Sequence, residues 1–96
     1  MNDKTKSLEL DSNSSQQQRQ RIRNHLNQFG SFTTAYARDY LDIPSPAPRV
    51  FELRHNEGLN IQSVWTTDTT AQGYKHRFVN YILKSGVYNK GVANDE

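Results

Sequence analysis

Apolar residues at Ile22, Leu26 and Phe29 are spaced i, i+4, i+7, which predicts an amphipathic helix opening near Ser15. Gly30, free to take the left-handed conformation, is placed to stop it. Past Phe32, Thr33 is a good N-cap, and Ala37 and Leu41 lie four apart on one face of a second, short helix over 34–41. Asp42 tolerates the left-handed region at its end, Ile43 returns to the core, and Pro44 forbids continuation. A third helix restarts at once: Ser45 is an N-cap candidate, Pro46 takes the first helical position, and Pro48 falls within the first turn, where its missing N–H costs nothing. Val50 and Leu53 form its buried stripe, and Asn56-Glu57-Gly58 ends it. Segments 59–66 and 74–83 are rich in β-branched and aromatic residues, with short period-2 stretches at Leu59/Ile61 and His76/Phe78. They predict a β-hairpin around the polar tip 67–73, with Trp65 and Tyr74 packing across its strands.

Composition narrows what these elements belong to. The 96 residues are 33% hydrophobic and hold one domain, expected over 16–84, between flexible tails at 1–15 and 85–96. Residues 1–18 contain just three apolar side chains, Met1, Leu8 and Leu10, whereas Val87, Tyr88 and Val92 give the other tail something to dock with. The net charge is +2, with the basic excess inside 16–83, too small to identify a nucleic-acid binder unaided. There is no cysteine, hence no disulfide, thiolate nucleophile or cysteine zinc site. No apolar run reaches the roughly 20 residues of a membrane span, and the opening Met1-Asn-Asp-Lys-Thr-Lys has no signal-like apolar stretch. A cytoplasmic location without membrane attachment is expected. His25, His55 and His76 are isolated, Asp39 and Asp42 suit caps or solvated positions, and no phosphate loop or nucleophile elbow occurs. Neither an enzyme nor a cofactor is expected.

Two helices joined by a tight turn, followed by a hairpin, have the order of a helix-turn-helix with a wing. The run Phe32-Thr-Thr-Ala-Tyr-Ala-Arg-Asp-Tyr-Leu-Asp-Ile-Pro-Ser-Pro-Ala-Pro-Arg-Val-Phe-Glu-Leu-Arg54, then Gly58-Leu-Asn-Ile61, resembles the phage and prophage helix-turn-helix domain family, a winged-helix group. That family's pattern is an apolar residue and Thr, Ala four residues on, Leu-Gly-Ile, Ser-Pro-Ala-x-Arg-Ile-x-x-Leu-Arg and Gly-x-x-Ile. The resemblance places Phe32, Ala37, Leu41, Ile43, Val50, Leu53 and Ile61 at core positions, and Ser45, Pro46, Ala47, Arg49 and Arg54 on the recognition helix. Asp42 replaces the turn Gly, Pro48 a small helix former, and Phe51 a small or polar residue. The expected fold is a small α+β winged helix-turn-helix of three helices and a hairpin wing.

The expected function is sequence-specific binding of double-stranded DNA by a phage or mobile-element protein, a transcriptional regulator or a replication or recombination accessory. Its third helix would enter a major groove, with Thr33 and Thr34 on phosphates. Arg49 suits guanine or phosphate contact, against the plainer reading of an ion pair with Glu52 three residues on. Lys75 and Arg77 alternate on one face of the second wing strand, suited to phosphates or to solubility alone. Arg19, Arg21 and Arg23 form a solvated cluster or reach a DNA backbone. Because one winged helix reads few base pairs, a homodimer or protein partner is expected. Phe51 is a candidate protein interface, which favours the alternative of a module that binds and inhibits a host or phage enzyme.

Overall fold

In a computed structural model that describes residues 13–89, three helices pack with a three-stranded antiparallel sheet whose first strand lies between the first two helices. Helix α1 spans Ser15–Phe29, strand β1 Ser31–Thr33, helix α2 Thr34–Tyr40, helix α3 Pro46–Glu57, and strands β2 and β3 Leu59–Thr69 and Lys75–Val87. The sheet order is β1-β3-β2, so the last strand is central and the short β1 is an edge.

Local chemistry sets most boundaries. Ser14 caps α1 through a reciprocal box with Gln17, one residue ahead of the predicted start, and Gly30 ends the helix at φ 86°. The Thr33 hydroxyl accepts from the Tyr36 N–H and caps α2. Asp42 takes φ 57°, the left-handed turn anticipated for it. Ser45 occupies the α3 N-cap without a side-chain cap bond, and Pro46 opens the helix.

Ile22, Leu26, Ala37, Ile43, Val50, Leu53 and Ile61 are buried, joined by Phe32, Val79 and Tyr81 from the sheet. Two anticipated core positions differ. Leu41 is only partly buried, and Phe29 is 64% exposed. The buried row of α1 advances in steps of four, Gln18 to Ile22 to Leu26, and Phe29, three residues on, falls outside it.

The hairpin is longer than its composition suggested. Pairing runs out to Thr69 opposite Lys75, leaving residues 70–74 as the tip. A ladder extending past the core is wet on both faces, so Thr67, Asp68 and Thr69 can be polar and still form strand. Trp65 therefore pairs with Val79 in mid-ladder, while Tyr74 sits in the tip, 73% exposed; the two do not pack together.

The far end also differs. Residues 85–88, expected in a tail, continue β3 to Val87 and bury Tyr88, whose N–H donates to the Gly58 carbonyl at 2.9 Å. Gly86, at φ 82°, stands where the pairing with β2 shifts register. The remaining parts of both expected tails, 1–12 and 90–96, lie outside the described residues.

Candidate nucleic-acid interface

The arginines sort into those that hold the fold together and those that face outward. Arg19 Nη1 lies 2.7 Å from Glu52 and Arg23 Nη1 2.7 Å from Glu57, so two members of the basic cluster clamp α1 to α3. Arg21 donates through Nε to the Leu41 carbonyl at 2.6 Å, and its Nη2 bonds Asn13, which closes the C-terminal end of α2. This cluster, read as a solvated face or a DNA contact, is a fastening between helices.

The structure places two of the expected recognition-helix residues against the domain itself. Arg54 is buried at 5% exposure: Nε donates to the Ile61 carbonyl and Nη2 to the Ser63 hydroxyl, both at 2.7 Å, while its guanidinium lies 5.2 Å from the Tyr88 ring centre. Arg49 points to α1, with Nη1 donating to the Ser15 hydroxyl at 2.6 Å and Nη2 to Glu52 at 3.0 Å. Glu52 thus receives two guanidinium groups. Its bond from Arg19, opposed by partial burial and reinforced by Arg49, holds its carboxyl below the usual carboxylate range. Both arginines of α3 are spent inside the domain because one flank of the helix faces α1 and another faces β2.

Among the described residues, Arg38, Lys75, Arg77 and Lys84 are exposed cations without a carboxylate partner. Two of them, Arg38 and Arg77, border one region. Arg38 of α2, not singled out in the sequence, lies beside Thr34, Ser45 and Ala47 in a cleft of about 280 Å³ whose other wall is Trp65 and Val79. An adjoining cleft of about 310 Å³ shares Thr34, Arg38 and Trp65 and brings in Arg77. The Arg77 guanidinium stacks 4.4 Å above the Trp65 ring, on the face shared by the 65/79 and 67/77 pairs. Lys75 follows two residues out on that face. The signal for Arg38 was its place next to buried Ala37, on the flank of α2 that runs toward Pro44, whose carbonyl accepts its Nε–H at 2.9 Å.

Thr34, Ser45, Ala47 and Arg77 are therefore brought together by the junction of helix-turn-helix and hairpin, with Lys75 farther along the strand. Thr33 is committed to its cap. The N-terminus of α3 offers little to an anion, because Pro46 and Pro48 remove two of its first N–H groups. Phe51 is 59% exposed and packs against His55 with ring centres 4.2 Å apart and planes tilted by 41°; His55 meets Tyr88 edge-on at 5.3 Å. On the other side of α2, a third cleft of about 400 Å³ is walled by His25, Phe29 and Tyr36 and borders none of these cations. No three His, Asp or Glu side chains among the described residues gather as a metal set. No described helix is long and apolar enough to cross a membrane.

Three helices, a turn between the last two, and a hairpin beside the third define a winged helix-turn-helix. The sequence pattern of the winged helix-turn-helix domain matches residues 17–86, most of the chain, and the protein belongs to that family. No curated protein and no solved structure matches it.

Proposed function

We propose that this domain binds double-stranded DNA sequence-selectively, with the N-terminal half of α3 in a major groove and the hairpin along the adjacent backbone. The observation that carries this reading is the distribution of free charge. The arginines of α1 and α3 are engaged within the domain, whereas Arg38 and Arg77 line one cleft between α2 and the hairpin, Arg38 also borders the start of α3, and Lys75 lies farther out along the wing. Cations gathered beside the start of a helix suit the phosphates that border the groove it enters. Thr34 and Ser45 offer hydroxyls at the same junction. The resemblance over 32–61 supports a regulator of transcription, or an accessory of replication or recombination, of phage or mobile-element type, acting in the bacterial cytoplasm. A second copy or a partner protein would extend the few base pairs that one domain covers.

A second reading, a scaffold that binds and blocks a host or phage enzyme, is favoured by the exposed Phe51 and its tilted ring contact with His55. Fluorescence anisotropy with duplex DNA at several salt concentrations separates the two. The DNA reading expects log K to fall linearly with log salt, and the double variant Lys75→Ala/Arg77→Ala to reduce the slope by about 2, roughly 0.9 per lost phosphate contact. Wild-type binding weaker than about 10⁻⁴ M at low salt would reject it.

A further inference from the structure

We infer that α3 reads thymine through the 5-methyl group rather than reading purines through hydrogen bonds, so that the preferred duplex is marked by thymines in the groove facing Ala47 and Phe51. This rests on the DNA-binding reading above and names what its recognition helix selects.

Major-groove recognition of guanine needs an Arg or Lys, and recognition of adenine an Asn or Gln, aimed from the helix surface. The basic residues on α3 are Arg49 and Arg54, apart from the ring of His55, and its one carboxamide, Asn56, stands in the last turn beyond the N-terminal half. Arg49 is bound to Ser15 and Glu52, and Arg54 is buried against β2. What the N-terminal half leaves exposed is Ala47, Pro48 and Phe51. Ala47 and Phe51 lie one turn apart on a single flank, and Ala47 lines the cleft that Trp65 and Arg38 complete. That flank carries hydrocarbon where a purine reader would carry donors. In the major groove, the apolar group available to such a surface is the thymine methyl, for which small and aromatic side chains are suitable partners.

The sheet completes the arrangement. Charge that α3 does not supply is provided by Arg77, steadied on Trp65, and by Lys75 beyond it. Attraction to phosphate and selection of the base are thus divided between two elements, so that a change in one should leave the other's contribution in place.

The test compares two synthetic duplexes about two helical turns long: one of mixed A·T sequence, and a copy with deoxyuridine at every thymidine. Loss of the methyl alters no Watson–Crick hydrogen bond. Wild-type protein should bind the thymidine duplex more tightly by about fourfold for each methyl it covers, the ordinary worth of one buried methyl group. Phe51→Ala should remove most of that preference while keeping the wild-type salt slope, and Phe51→Leu should restore part of it. Because Phe51 is exposed, both variants should fold, checked by circular dichroism.

Equal binding of the two duplexes by a wild type that does bind DNA overturns thymine reading and leaves the DNA function standing. A preference that survives intact in Phe51→Ala overturns the assigned contact. Loss of self-association in Phe51→Ala, with all duplex affinities unchanged, makes Phe51 a protein contact and likewise overturns it. Failure of the wild type to bind either duplex at low salt overturns the DNA reading and this inference together.

Discussion

Arg54→Ala should behave as a core mutation although it removes a charged residue. In the folded domain the guanidinium makes two bonds, to the Ile61 carbonyl and the Ser63 hydroxyl, and lies over Tyr88. Hydrogen bonds from a charged donor are worth about 1.5–3 kcal/mol each, and a buried carbonyl left without a donor costs about 1–3 kcal/mol. Ser63 is half-buried and can turn to water, and the variant no longer desolvates a guanidinium, so the net loss should be about 3 kcal/mol. For a domain of this size that is a large part of a total stability of roughly 4–12 kcal/mol, and it corresponds to a fall in melting temperature of roughly 12–24 °C. Arg49→Ala removes an ion pair that is only partly shielded from solvent and should cost under about 1 kcal/mol. Urea unfolding followed by circular dichroism measures both variants with a common m-value. Equal stability of Arg54→Ala and wild type, coupled with a tenfold weaker hold on duplex DNA, would refute the buried role and return Arg54 to the binding surface.

Two further substitutions and conditions are informative. Gly58→Ala should cost about 1–2 kcal/mol, since Gly58 sits at φ 73° and an added Cβ would lie 3.2 Å from Val87 Cγ1; a thermal melt equal to wild type would contradict this. Glu52 has a lowered carboxyl pKa in the folded state, so its contribution is present above the unfolded carboxylate range and is lost as pH falls through the lower folded value. Wild-type stability should therefore drop on acidification below about pH 4.5, the ordinary value for Glu, more steeply than that of Glu52→Gln; parallel pH profiles would show that the Arg19 and Arg49 contacts contribute nothing.

What the chain determines locally is nearly everything that depends on a few neighbouring residues. Gly30, Thr33, Asp42 and Pro46 each impose one backbone choice, and together they cut the polypeptide into three helices and fix the turn between the last two. The periodic apolar positions from Ile22 to Ile61 likewise select the core, because the helical repeat allows only one face to be buried. Partners distant in sequence were decided by tertiary structure. Ser31–Thr33 becomes a strand only because β3 lies beside it, and Tyr88 becomes core only because β3 carries it back to Gly58 and Arg54. The fate of each arginine belongs to the same class. Arg49 and Arg54 are alike in residue type and helix, and Arg19 and Arg38 are likewise both helical arginines. It is the approach of α1 on one side and β2 on the other that consumes Arg19, Arg49 and Arg54 and leaves Arg38 beside Trp65 at the open junction. A charged side chain is satisfied by whichever partner comes within hydrogen-bond reach, and that distance is set by the packing of elements far apart in the chain.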